Sequence, residues 1–266
     1  MATGFTLVYG AARVFNFAHG HFYMLGAFIY GLLILQGTPW GVAVVAAGIG
    51  LGLLGALSWK LVFKPLYRDM LMTIAATTGI GLIMVQGIIV TVGERDIIVP
   101  TIFPGLLHVG GVTVAVEKIA LIIITLLIML AIYLFLGTKT GKALEATTID
   151  EDAAALQGIN SERMFLLATV VGSALAGVAG ALIVPTLTAQ AGMGWTLTLI
   201  FLCIVMVAGH GSIKGAIIVG LLFGLVESFG YYYVGTLDSI ILFAVVAVII
   251  YIRPWGIWGV EFKRTA

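Results

Sequence analysis

The sequence predicts an all-α polytopic membrane protein, built as a single transmembrane domain over residues 1–266. Hydrophobic residues make up 61% of the chain, and the mean hydropathy is +1.18. Only 9% of the residues are charged, whereas an average soluble domain has about 25%. A chain this apolar has too little polar surface to face water, so we expect about eight transmembrane helices, some of them broken or half-length.

Several function classes are excluded by what the sequence lacks. The net charge of +1 provides no basic field for nucleic acid. The single cysteine, Cys203, lies in an apolar run and is expected to be a packed thiol. The histidines share no zinc-like spacing with it, and no GxxxxGK[ST] loop is present to hold ATP phosphates. We therefore expect no catalytic residue, no metal and no cofactor.

Nine apolar segments follow one another along the chain: 2–12, 21–36, 41–59, 71–92, 119–137, 164–190, 197–208, 215–233 and 237–252. Several are shorter than the ~20 residues that a spanning helix needs. Short segments with glycine-containing breaks are typical of half-helices that line a cavity. If residues 2–36 form one span broken in the middle, the chain crosses eight times, which we prefer; a separate crossing at 2–12 would give nine.

Basic residues predict the orientation. Parity places ten of them on one side of the membrane and only Arg95 and Lys118 on the other. Cytoplasmic loops carry the excess of lysine and arginine, so the larger set and the C-terminus are expected in the cytoplasm. The ten are Lys60, Lys64, Arg68, Lys139, Lys142, Arg163, Lys214, Arg253, Lys263 and Arg264.

The external loop at 93–118 contains two prolines and several β-branched residues. This composition predicts a folded loop with a short pair of strands. It either contacts an external binding protein or caps the helix bundle.

The cytoplasmic loop at 138–163 is the longest polar interval, and it holds eight of the 25 charged residues. Asp150 is a cap candidate, Glu151 and Asp152 suit the positive end of a helix, and Gly158 suits its left-handed C-terminal residue. An apolar stripe follows from the helical spacing of Ile149, Ala153 and Leu156. The helix either rests on the lipid surface or docks onto a soluble partner.

Polar side chains occur at membrane depth. Asn16, His19 and His21 separate two apolar segments, and Glu227 lies well inside segment 215–233. Leaving such groups in hydrocarbon is costly, so they face protein or water. They either hold helices together or line a substrate pathway.

Small residues occur at helical spacing in segment 164–190. Gly172, Ala176 and Gly180 are expected to allow close helix packing within the chain.

Three strings in one order resemble the H-type permease of branched-chain amino acid ABC importers. The first is NFAHG at 16–20, with Tyr9-Gly10 before it and MLGA at 24–27 after it. The second is 141–159, in which Asp152-Ala-Ala-x-x-x-Gly158 is similar to the family's Glu-Ala-Ala-x-x-x-Gly coupling loop. The third is 208–228, a glycine-rich string in which His210 replaces a glycine. Family members also start about half a helix earlier.

The resemblance implies a multi-pass permease subunit in the inner or plasma membrane. Such a subunit carries branched-chain amino acids, or a related small polar solute such as urea or an amide, into the cytoplasm. Its implied partners are cytosolic ATP-binding subunits, a second homologous permease subunit, an external or periplasmic substrate-binding protein and membrane lipid. The expected ATPase-coupling residues are Asp152, Ala153, Ala154, Leu156, Gly158 and Ile159. The expected substrate pathway comprises Asn16, His19, Gly20, His21, His210 and Glu227.

Two other function classes fit parts of the sequence. A stand-alone secondary transporter or channel would use Glu227 and the histidines as an ion relay. An intramembrane enzyme would use His19, His210 and Ser212, although no acid–base–nucleophile spacing supports it. Co-purified ATPase subunits favour an importer, whereas activity of the lone chain favours the alternatives.

Overall fold

The computed structural model describes residues 1–12, 15–67, 69–109, 111–209 and 211–258. His210, Arg68 and the tail lysine and arginine at 263–264 lie outside these ranges. The elements are α1 (Ala2–Ala12), α2 (His19–Leu35), α3 (Trp40–Ser58), a π-helical turn (Trp59–Phe63), α4 (Lys64–Leu66), α5 (Met70–Thr91), β1 (Leu106–Val109), β2 (Val112–Ala115), α6 (Val116–Gly137), α7 (Lys139–Ile149), α8 (Glu151–Leu156), α9 (Ser161–Ile183), α10 (Met193–Ala208), α11 (Ile213–Val234), a 3₁₀ turn (Gly235–Leu237) and α12 (Asp238–Ile252).

The all-α membrane fold is confirmed, since every predicted apolar segment contains a helix, although segment 164–190 extends beyond the end of α9 at Ile183. In the described part of the chain, five helices are long and apolar enough to cross a membrane: Trp40–Leu66, Met70–Thr91, Val116–Gly137, Ser161–Ile183 and Ile213–Val234. Three further apolar helices are shorter: His19–Leu35, Met193–Ala208 and Ile240–Ile252.

Helix α9 is the central helix of the first half, and α1, α2 and α3 pack around it. Its small residues permit this packing. A Cβ added at Gly172 would lie 2.7 Å from the carbonyl oxygen of Gly4, and one at Gly177 would lie 2.7 Å from that of Ala47. The predicted close packing within the chain is confirmed.

Helices α1 and α2 run in opposite directions along α9. Gly4 of α1 meets Gly172, and Ala11 further along belongs to the core cluster of Phe165 at the start of α9. Helix α2 instead proceeds to Tyr30, in the cluster that contains the end of α9. The expectation that 2–36 is one span broken in the middle is therefore wrong: the chain reverses between the two helices.

The predicted basic loops do meet at one face of the bundle. Lys64 of α4 forms an ion pair with Glu162 of α9, with 2.6 Å between Nζ and Oε1. Leu144 of α7 shares a core cluster with Trp59, next to Lys60. Lys60 and Lys64 were expected in a loop, but they lie on the helical extension of α3. A long basic side chain reaches the membrane interface from the end of a helix, so a basic face does not require a loop there. We call this surface the basic face.

Of two further predictions about the loops, the strand pair is confirmed and the fully irregular start of the 138–163 loop is wrong. At the opposite face, β1 and β2 form an antiparallel hairpin, which confirms the predicted strand pair. The buried carboxylate of Glu117 anchors this loop by accepting a hydrogen bond from the Ile102 amide at 3.0 Å. At the basic face, residues 139–149 form helix α7, where a loop was expected.

Candidate functional site

Helix α8 has well-defined ends despite its length of six residues. The Asp150 side chain accepts a hydrogen bond from the Ala153 amide at 3.0 Å, which caps the first turn. At the other end Gly158 has φ +81°, and the Ile159 amide donates to the Ala154 carbonyl at 3.1 Å. This is the hydrogen bond of a Schellman C-cap, so the predicted left-handed glycine is confirmed.

The two sides of α8 differ in burial. Ala154 is only 3% exposed and packs inward. Leu156 is 90% exposed and Ile149 is 69% exposed, and Ala153 and Asp152 are exposed as well. The apolar stripe therefore points away from the chain. Among the predicted coupling residues, Ala154 faces the chain itself and is not available to a partner.

Helix α8 connects to the membrane helices through α7. Helix α8 contacts α7 and α9, and α7 in turn contacts α1, α6 and α9. Leu144 of α7 is 1% exposed, and the methyl group of Thr148 lies where a Cβ on Gly10 or Gly211 would be placed. A displacement of α8 would consequently move packed side chains on α1 and α9.

The second candidate site is the buried turn that leads into α2. Asn16, His19 and His21 are each 0% exposed. The Asn16 side chain accepts a hydrogen bond from the Ala18 amide at 3.0 Å. His21 Nδ1 lies 3.3 Å from the Phe17 carbonyl oxygen, within hydrogen-bond distance.

Three helices enclose this turn. The His21 ring stands edge-on to Trp195 of α10, with centroids 4.6 Å apart, and a Cβ on Gly81 of α5 would lie 2.7 Å from it. Gly20 touches Gly194 and Thr198 of α10 so closely that no side chain fits. The cluster therefore occupies the junction of α2, α5 and α10.

Several polar atoms of this turn lack hydrogen-bond partners among the described residues. They are Asn16 Nδ2, His21 Nε2 and both ring nitrogens of His19, which lie near the Met1 backbone without a hydrogen bond of good geometry to it. The His19 ring instead meets Phe5 and Phe201 edge-on, with centroids 5.5 and 6.4 Å apart. Leaving a buried polar group without a partner costs about 1–3 kcal/mol, so these atoms make the turn a candidate site.

The structure brings together four of the six predicted pathway residues. Asn16, His19, Gly20 and His21 share one turn, whereas Glu227 lies on an exposed part of α11 within this chain. His210 lies outside the described residues. Within the described ranges no group of three histidine, cysteine, aspartate or glutamate residues is placed to hold a metal ion.

Sequence reasoning missed the hydroxyl groups that support the turn. Thr77 of α5 accepts a hydrogen bond from the Phe17 amide at 3.2 Å. Thr198 of α10 lies 3.4 Å from the Phe17 carbonyl and donates to the Gly194 carbonyl at 2.7 Å. A signal was available, since Thr73, Thr77 and Gly81 form a small and polar stripe at helical spacing in an apolar run.

Comparison with known proteins gives one consistent family. The family described as "Branched-chain amino acid transport system / permease component" matches residues 1–251. LivH of Escherichia coli K12, named as a high-affinity branched-chain amino acid transport system permease, is 31% identical over 97% of this chain and 90% of its own length. BraD of Pseudomonas aeruginosa, with the same description, is 28% identical over 97% of this chain and 90% of its own length.

A probable LivH of Methanocaldococcus jannaschii is 29% identical over 99% of this chain and 89% of its own length. No solved structure matches the chain significantly. The family model covers nearly the whole chain, and the similarity to LivH of Escherichia coli extends over both candidate sites. The chain therefore belongs to the permease family of branched-chain amino acid transport systems.

Proposed function

We propose that the chain is the membrane permease subunit of an ABC importer that moves branched-chain amino acids, or a related small polar solute such as urea or an amide, into the cytoplasm. The observation that carries this proposal is α8, a capped helix whose apolar stripe points away from its own chain. Family membership supports it, since the relatives are named as branched-chain amino acid transport permeases.

The partners follow from this role. Separate cytosolic subunits supply ATP hydrolysis, an external or periplasmic protein delivers the solute, and a second homologous permease subunit completes the pathway. The basic face, with the C-terminus, lies in the cytoplasm of a cell bounded by this inner or plasma membrane. The excess of lysine and arginine at that face supports the orientation.

Coupling works through contact and packing. Leu156, Ala153 and Asp152 enter a groove on the ATPase subunit, while Gly158 and Ile159 fix the shape of the loop. Ala154 is buried and packs α8 against its own chain. Closure of the ATPase dimer then displaces α8 and α7 together, and α7 transmits the motion to α1 and α9.

The substrate pathway passes the turn at Asn16, His19, Gly20 and His21, and His210 and Glu227 contribute from the second half. The unpartnered Nδ2 of Asn16 suits the carboxylate of an amino acid as a donor, and the unpartnered imidazole nitrogens suit its carboxylate or its ammonium group according to tautomer. Glu227 is exposed within this chain, so it reaches the pathway from the side of the second permease subunit. A carboxylate at membrane depth favours a polar environment of this kind over lipid.

Leu156→Asp tests the proposal directly. The side chain is 90% exposed, so the substitution leaves the fold intact while placing a charge in the docked face. We expect loss of ATPase recovery in a pull-down and loss of solute uptake. The matched control is Ile98→Asp, which changes an equally apolar side chain, 71% exposed, in the loop at the opposite face.

A stand-alone secondary transporter is the second candidate, favoured by the buried ring nitrogens of His19 and by His21 Nε2, which have no hydrogen-bond partner among the described residues. It predicts that Leu156→Asp and Ile98→Asp behave alike and that the chain alone transports solute in liposomes. Uptake by the lone chain, driven by an ion gradient and insensitive to Leu156→Asp, would contradict the importer.

A further inference from the structure

A cavity of about 480 Å³ opens at the basic face between α1, α6, α7 and α11. Its wall includes the last residues of α6 and the first residues of α11, so it lies at the level where lipid headgroups meet acyl chains. Tyr133 and Leu134 line it and are 60% and 62% exposed, so the cavity opens onto the outer surface of this chain.

The charges of the cavity favour an anion. Its charged lining residues are Lys142, Lys214 and Glu145, two positive and one negative, so the formal sum is +1. Neither lysine side chain has an ion pair or hydrogen bond with a described residue. The first turn of α11 also begins at this wall, and its amides add positive potential.

The remainder of the wall is mostly aliphatic. Aliphatic side chains extend from the lysines toward the membrane interior, namely Leu7, Ile132, Leu136 and Ile217. Most of the other polar groups in the wall are already engaged: the hydroxyls of Thr6 and Thr148 donate to carbonyls of their own helices, and that of Ser212 caps α11. An apolar slot with a cationic rim instead matches an acyl chain with a phosphate at its end.

We propose that this cavity binds an anionic phospholipid, with its phosphodiester between Lys142 and Lys214 and an acyl chain along Ile132 and Ile217. Basic pockets between transmembrane helices are the usual sites for anionic headgroups. The bound lipid rests against α7, the helix that joins α8 to the bundle. The inference does not depend on the proposed transport activity.

The test is lipid retention by the purified full chain, measured by native mass spectrometry during titration with phosphatidylglycerol or with phosphatidylcholine of the same acyl chains. We expect tighter binding of phosphatidylglycerol. The double variant Lys142→Gln/Lys214→Gln should weaken that binding about thirtyfold, because each lysine near a lipid headgroup contributes roughly a fivefold factor. Phosphatidylcholine binding should change much less.

Two controls make the test specific. Lys60→Gln/Lys139→Gln removes the same charge from the basic face outside the cavity and should leave binding within threefold. Ile217→Trp fills the apolar part and should weaken both lipids. Equal losses in the two lysine pairs, or unchanged binding in Lys142→Gln/Lys214→Gln, would overturn the proposal. Displacement of the lipid by millimolar leucine would also overturn it, in favour of a solute site.

Discussion

Replacing Gly158 by valine isolates the contribution of backbone shape to the proposed coupling of α8 with an ATPase subunit. Gly158 has φ +81°, and a Cβ built there meets no atom within 4 Å. The substitution therefore adds no clash, only the cost of a left-handed backbone, which is about 1–2 kcal/mol for a residue with a Cβ. The equilibrium constant between the capped and the uncapped loop then changes by about fivefold to thirtyfold in favour of the uncapped loop.

Gly37→Val is the matched control. Gly37 has φ +83°, follows the C-terminal end of α2 and likewise has no atom within 4 Å of an added Cβ. Both variants should lose a similar amount of stability in a thermal unfolding assay, because the backbone cost is the same. They differ in position, since Gly37 lies at the face opposite α8.

The assay is pull-down of the ATPase subunits at matched expression, together with solute uptake. Gly158→Val should lower both by about fivefold or more, and Gly37→Val should leave both near the wild-type level after correction for folded protein. Equal ATPase recovery in the two variants would refute the argument that the C-cap of α8 shapes a docking surface.

Three further outcomes follow from the same geometry. An impermeant thiol reagent added outside sealed cells should label Thr101→Cys and not Gln157→Cys, since both residues are exposed but lie at opposite faces. Labelling of Gln157→Cys from outside would show that the predicted orientation is wrong. Ala154→Trp should reduce the yield and melting temperature of the permease, because overpacking a site that is 3% exposed costs about 1–3 kcal/mol, and normal stability with loss of ATPase binding alone would contradict this. Glu227→Gln should lower uptake per folded molecule, whereas a purely structural carboxylate predicts a lower melting temperature with unchanged uptake.

The apolar helices were predictable from the sequence because hydropathy alone locates them. The ends of α8 were also predictable, since Asp150 and Gly158 act through local backbone chemistry. Helix α7 was missed because its eleven residues, KTGKALEATTI, are mostly polar and give no hydropathy signal. Its helical state depends on tertiary burial of side chains such as Leu144.

The arrangement of α1 and α2 could not be predicted in the same way. Two short apolar segments with a polar interval fit one broken span as well as a reversal, and only contacts with distant α9 distinguish them. The burial of Ala154 against its own chain could not be predicted for a related reason. The sequence shows that Ile149, Ala153 and Leu156 share a stripe, but not which neighbour faces the bundle.

The reversal between α1 and α2 also has a consequence for biosynthesis. Gly4 and Gly26 pack against Gly172 and Gly177, residues that the ribosome adds about 150 positions later. At roughly 5–20 residues per second, that delay is on the order of 8–30 s. During it, the 11-residue α1 lacks α9 and the other late helices that it contacts, while the 17-residue α2, with its buried histidines, has only α3 and α5 to pack against. We therefore expect the N-terminal hairpin to enter its final position only after α9 has left the translocon.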